Sequence, residues 1–93
     1  MAARSSQTVN TLVRGTFVVY NSASAPVTGL VNGDFDKFAA LNGADNATTI
    51  TVAEIANGRY GYSFTPASVG YWHILIRNTA NNPRGWIDEF DVS

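Results

Sequence analysis

One histidine, His73, seven acidic side chains and no cysteine bound the chemistry open to this chain of 93 residues. An imidazole can serve as general base to a hydroxyl, and a Ser-His-Asp arrangement is the form this takes in hydrolases. Serines are present, but no Gly-x-Ser-x-Gly elbow exists to present one. Strand alternation through residues 71–77 puts Trp72, Ile74 and Ile76 on one face and Tyr71, His73, Leu75 and Arg77 on the other. With the first set in the core, His73 points outward, where a lone histidine is most often a surface residue. Hard-cation chemistry would need oxygens. Asp34 and Asp36 share one face of an expected strand, and Asp45, Asp88 and Asp91 could approach them, yet no EF-hand spacing occurs. Protection of strand edges is a sufficient reason for Asp34, Asp36, Lys37, Asp88 and Glu89. Without cysteine there is no disulfide, no thiol chemistry and no Cys-type zinc site. The expectation is a non-enzyme with no catalytic residue, no metal and no cofactor.

The elements that would position these side chains follow from turn signals and period-2 alternation. Asn57-Gly58 supplies the two positive-φ positions of a type I′ hairpin turn. After it, Tyr60, Tyr62 and Phe64 alternate with Arg59, Gly61 and Ser63, so one face is aromatic and the other small or polar. Thr65-Pro66 ends that strand, because proline cannot donate to a ladder. Residues 8–20 are β-rich, with Val13, Gly15, Phe17 and Val19 inward and Arg14, Thr16, Val18 and Tyr20 outward; Gly15 is a candidate bend dividing the run. Residues 21–26 read as a loop, 27–31 as an extended piece, 34–41 as a strand and 42–47 as a turn. Further strands are expected over 48–55, with Ile50 and Val52 inward, over 71–77, and over 85–92, with Trp86, Phe90 and Val92 in the core. That makes about seven short strands separated by turn signals, the pattern of an all-β antiparallel sandwich. Residues 1–7 are small and polar and read as a flexible arm, leaving 8–93 as one domain.

Composition narrows the partners. Six basic and seven acidic residues give a net charge of −1, which provides no electrostatic case for nucleic acid or an anionic membrane. Charged residues are 14% of the chain, well below the usual quarter, with Asn, Thr, Ser and Ala in their place. Such a surface suits a protein that sits against other protein. No apolar run approaches the ~20 residues of a membrane span, and the first residues lack an apolar stretch of signal-peptide length. The chain is therefore expected to be made and kept in a cytoplasm, or released by lysis. Asn46-Ala47-Thr48 fits the glycosylation acceptor pattern, which without secretion reads as a chance match.

The stretch Gly58-Arg59-Tyr60-Gly61-Tyr62-Ser63-Phe64-Thr65-Pro66, followed by Gly70-Tyr71-Trp72, resembles the G-x-Y-x-x-x-[FY]-T-P-x-x-x-G-x-[YW] pattern of filamin-type and bacterial or phage immunoglobulin-like domains. Pro26-Val27-Thr28-Gly29-Leu30 with Asp34-Phe35 resembles an early segment of many of these domains. Ser68-Val69-Gly70-Tyr71-Trp72-His73-Ile74 is similar to the immunoglobulin D-x-G-x-Y-x-C segment, with Trp72 at the corner tyrosine and Ile74 at the second cysteine. The inter-sheet disulfide and the corner hydroxyl are thus both missing. The resemblance implies an immunoglobulin-like antiparallel β-sandwich and, because phage virion proteins carry such modules, a place in a virion, with the host cytoplasm as the site of assembly.

The functional expectation is a non-enzymatic attachment module on a protein lattice, as a capsid decoration or a head or tail accessory. Its candidate contacts are the outward apolar residues Val18, Tyr20, Tyr71, Leu75 and Ile87, together with Arg4 of the arm. The alternative is a carbohydrate-binding or adhesin-like module using Trp86 with Tyr20 or Tyr71 as an aromatic platform.

Overall fold

Two Asn-Gly pairs shape the hairpins. Asn57 and Gly58 adopt φ of 53° and 82°, and Asn42 and Gly43 adopt 51° and 84°, the paired left-handed conformations of a type I′ turn. The first joins β5 (Thr51–Ala56) to β6 (Arg59–Phe64). The second joins β3 (Asp36–Leu41) to β4 (Ala44–Asn46), so the expected turn over 42–47 contains a short strand. The computed structural model describes residues 5–93 and adds β1 (Ser5–Gln7), β2 (Val13–Val18), β7 (Gly70–Asn78) and β8 (Asn82–Val92). Eight strands are thus present among the described residues, against about seven expected.

They form two sheets. The larger runs β1-β8-β7-β3-β4 and the smaller β2-β6-β5. All neighbours are antiparallel except β1, which lies parallel to β8 with Ser5 beside Phe90 and Gln7 beside Val92. The expected free arm over 1–7 is corrected here. Its end, Ser5–Gln7, is an edge strand, because a second parallel segment can use the outward N–H and C=O groups of β8. Residues 1–4, Arg4 among them, lie outside the described residues.

The inner faces are those the alternation indicated. Val13, Phe17, Val52, Tyr60, Tyr62 and Phe64 of the small sheet face Trp72, Ile74, Ile76, Phe90 and Val92 of the large one, all buried. The rings meet in two groups. Phe17, Phe35 and Tyr60 pack with centroids 5.4–5.9 Å apart, and Phe64 lies 5.8 Å from both Trp72 and Phe90, distances at which edge and tilted contacts are favourable. Gly15 does not bend the chain; β2 runs unbroken past it. It sits opposite Tyr62, and a Cβ there would collide with the Tyr62 ring, so glycine opens the space which that ring fills.

Two readings need correction. The strand expected over 34–41 begins only at Asp36, after a 3₁₀ turn at Asn32–Asp34. The Asp34 carboxylate accepts the Val31 N–H at 2.8 Å, and Lys37 Nζ donates to the Asn32 carbonyl at 2.7 Å, which holds the turn. Trp86 is not a core residue: it remains 41% exposed. Its ring stacks on Phe17 of β2, an edge strand of the small sheet, and among the described residues no strand lies beyond β2 to cover the rest.

Candidate functional site

The large sheet places His73 on its outer face, flanked in register by Ala40 of β3 and Glu89 of β8. The acidic residues are dispersed. Asp36 pairs with Arg77 at 3.1 Å, Asp34 caps its own turn, and Asp88 faces inward. Asp34 and Asp36 therefore do not share a strand face. Among the described residues, no three histidines or carboxylates gather as a metal would require.

The Asp88 carboxylate accepts hydrogen bonds from the Tyr62 hydroxyl and from Trp86 Nε1, the latter at 3.2 Å. Burial, reinforced by the hydrogen bond to the Asp88 carboxylate, pushes the Tyr62 phenol far above its ordinary value. The three residues lock β8 to β6 across the open side of the sandwich. They form a structural link between the two sheets.

The outward apolar residues divide between two faces. Tyr71, Leu75 and Ile87 lie on the large sheet, where Leu75 pairs with Phe38 on one side and Ile87 on the other. Phe38 and Ile87 are 44% and 54% exposed, whereas Leu75 between them is half-buried. Tyr71 is half-buried too, and its hydroxyl donates to Glu89 at 2.6 Å. Val18 ends β2 of the small sheet and Tyr20 lies just past it, bridged to Pro26, so the five residues do not make one patch.

Val18 and Tyr20 line a groove of about 490 Å³ together with Thr16, Phe17, Ile55, Arg59 and Trp86. Each wall has a local cause. Ile55 comes from β5 across the sheet and lies over Gly61, where no side chain displaces it. Trp86 stacks on Phe17 with centroids 6.4 Å apart and planes at 23°, leaving its other side open. Tyr20 is 51% exposed and Ile55 57%. Tyr20 is held at the groove by the hairpin that follows β2, in which Val27 donates to the Val19 carbonyl at 2.9 Å and Tyr60 hydroxyl to the Val27 carbonyl at 2.7 Å. Sequence reasoning missed Ile55 and Arg59 as members. The alternation that turns Val52 inward already turns Ile55 outward, so that signal was present. Arg59 enters only through its register opposite Val18.

The corner expected near Trp72 is made by another donor. Trp72 Nε1 gives its hydrogen to the Ser68 carbonyl at 2.9 Å, so the indole replaces the missing hydroxyl and bonds the backbone four residues upstream.

Comparison with known proteins agrees with this geometry. No family model matches the chain, and no curated protein does either. Among solved structures the chain is similar to the crystal structure of the Lin-41 filamin domain, at 14% identity and a TM-score of 0.70, over 100% of this chain and 87% of that one. The chain is an immunoglobulin-like β-sandwich. At that identity the likeness concerns the fold.

Proposed function

We propose that this protein is a non-enzymatic attachment module that docks on a protein lattice, with a bacteriophage virion as its setting. The observation that carries the reading is the groove beside β2. Four apolar side chains, Val18, Tyr20, Ile55 and Trp86, converge there around one concavity on a weakly charged domain. Arg4, in the segment ahead of β1, is a further proposed contact. Many copies on a lattice would add avidity to a modest single contact. The virion setting draws on the motif resemblance in residues 58–72 and on the weakly charged surface.

Occupancy on purified particles, measured against salt, tests this. Occupancy should survive moderate salt, because apolar contacts are little screened. The double variant Tyr20→Ala, Trp86→Ala should lose at least about tenfold in occupancy, consistent with roughly 1.4 kcal/mol for each factor of ten. Deleting residues 1–4, which leaves β1 intact, should lower it less. Full release at moderate salt, or undiminished occupancy of the double variant, would sink the reading.

A second reading has a specific observation in its favour: Trp86 and Tyr20, the aromatic pair that a sugar platform would need, border the same groove. Retention on a glycan array, abolished by Trp86→Ala, would decide for carbohydrate.

A further inference from the structure

The two sheets end in four strands among the described residues, β1, β4, β5 and β2. β1 and β4 are three residues long; β8 is open ahead of Phe90, where β1 stops, but there a register shift against β7 and the left-handed Gly85, φ 82°, interrupt it. β5 is longer, but Asn32 Oδ1 accepts its Val52 N–H at 2.8 Å, and Glu54 is tied to the N–H groups of Gly29 and Gly58. β2 is different. It runs six residues, Val-Arg-Gly-Thr-Phe-Val, without proline or bulge, and pairs with β6 alone.

Its hydrogen-bond phase can be read from one bond. Val19 donates its N–H to the Gly58 carbonyl at 3.1 Å. Antiparallel ladders alternate, so Phe17, Gly15 and Val13 bond β6 while the N–H and C=O groups of Arg14, Thr16 and Val18 point away from it. No other described segment bonds those outward groups. Natural sheets blunt an edge of this length with charged side chains, proline, bulges or covering chain, and of these β2 carries one charge, Arg14. Here the edge opens directly onto the groove of Phe17 and Trp86.

We propose that an extended segment of a partner protein adds to β2 as a fourth strand of the small sheet, its apolar side chains entering the groove and an acidic side chain meeting Arg14. This rests on the attachment reading above and names its mode of contact. The register assigns the side chains. Those opposite Gly15 and Phe17 turn inward, toward Tyr62 and the open side of Trp86; those opposite Arg14, Thr16 and Val18 turn outward. Charge selects the occupant. Arg14 and Arg59 make no ion pair among the described residues. The nearby acids are engaged, Glu54 with backbone N–H groups and Asp88 with Tyr62 and Trp86. A second copy of this chain would bring the same arginines against each other, whereas an acidic strand neutralises them.

The test uses the full chain and a capped ten-residue peptide alternating valine and threonine, with one central aspartate and glutamates at its ends. Binding should slow amide exchange at Thr16 and Val18 by at least about tenfold, since both N–H groups become ladder donors. N-methylation of alternate peptide amides should weaken binding by at least about tenfold, through lost main-chain bonds. Thr16→Pro should do the same, because its ring replaces an N–H that β6 does not use. Arg14→Glu should weaken the aspartate peptide and strengthen one with lysine in its place. No binding, unchanged affinity of the N-methylated peptide, or unprotected Thr16 and Val18 amides would each overturn strand addition. If the peptide fails while particle occupancy still falls in the Tyr20→Ala, Trp86→Ala variant, attachment stands and only its mode is wrong. If the peptide binds as described but occupancy ignores the groove, strand addition stands and attachment through it falls.

Discussion

The outer faces of the two sheets use their charges in opposite ways. On the five-stranded sheet Arg77 pairs with Asp36 at 3.1 Å and lies 5.2 Å above the Phe38 ring, and Tyr71 donates to Glu89. The charged groups there are spent on neighbours within the sheet. On the three-stranded sheet the outward residues of β6 are Arg59, Gly61 and Ser63, and those of β2 are Arg14, Thr16 and Val18. Arg14 and Arg59 make no ion pair among the described residues, and Glu54, which borders the same surface as Arg14, is tied to backbone N–H groups. Apolar residues occur on both faces, so hydrophobicity does not separate them. What separates them, among the described residues, is that the small sheet brings arginines without an ion pair together with an open edge and a groove.

Both faces depend on one core, and the largest effect should come from breaking it. Trp72→Ala removes a buried ring that packs on Phe64 and the indole that bonds Ser68. It should cost about 3 to 5 kcal/mol in a denaturant titration, enough to unfold much of a domain this size. A loss under about 1 kcal/mol would mean that β7 faces the other way and that the two outer faces are wrongly assigned.

The link between the sheets comes next. Tyr62→Phe leaves Asp88 with one donor fewer and should cost roughly 1 to 3 kcal/mol near neutral pH. It should also change the alkaline limb. The buried Tyr62 phenol is held neutral, its ionisation pushed above that of the unfolded chain, so the stability this contributes is whole below about pH 10. Above that pH the unfolded state releases a proton that the folded state keeps, and stability falls by about 1.4 kcal/mol per pH unit. Tyr60 is raised too, chiefly by burial, and adds its own loss. Tyr62→Phe should remove only the Tyr62 share. An unchanged slope would show that the hydroxyl is free to ionise and that the open side is wetter than described.

The arginines test the contrast directly. Arg77→Ala should cost about 0.5 to 1 kcal/mol of stability, since its ion pair is partly exposed, and leave particle occupancy intact. Arg14→Ala should leave stability within about 0.5 kcal/mol and lower occupancy. The reverse pattern would move docking to the large sheet, onto Phe38, Leu75 and Ile87.

How much of this was legible depends on how local its cause is. The inward sets of β2, β5, β6 and β7 and the Asn57-Gly58 hairpin follow from alternation and turn chemistry, which act within a few residues; at Asn42-Gly43 the turn was read but not the short strand that follows it. Trp86 was misread because alternation says which side of a sheet a residue takes, and not whether the facing sheet extends far enough to cover it. Phe35, Phe38 and Leu41 have helical spacing, yet only Phe35 is fully buried. The spacing arose from a 3₁₀ turn joined to a strand. Ser5–Gln7 looked too polar to be structure, and pairing with β8 needs only their backbone. The groove was half visible: Val18 and Tyr20 were outward as expected, but that Trp86 and Ile55 join them is a matter of strand order, which no local signal carries.

The smallest effect should be at His73, the residue whose chemistry first invites an active-site reading. It stands on the large sheet's outer face between Ala40 and Glu89, half-buried, on the side where the apolar and charged groups already serve one another. His73→Ala should shift stability by no more than about 0.5 kcal/mol, the range of an ordinary surface substitution. Particle occupancy should be unchanged, and so should strand-peptide binding, because His73 lies on the large sheet's outer face, whereas Trp86 enters the groove from its inner face. A clear drop in occupancy with stability intact would place a contact on the face described here as self-satisfied. That would remove the distinction between the two sheets on which the docking assignment depends.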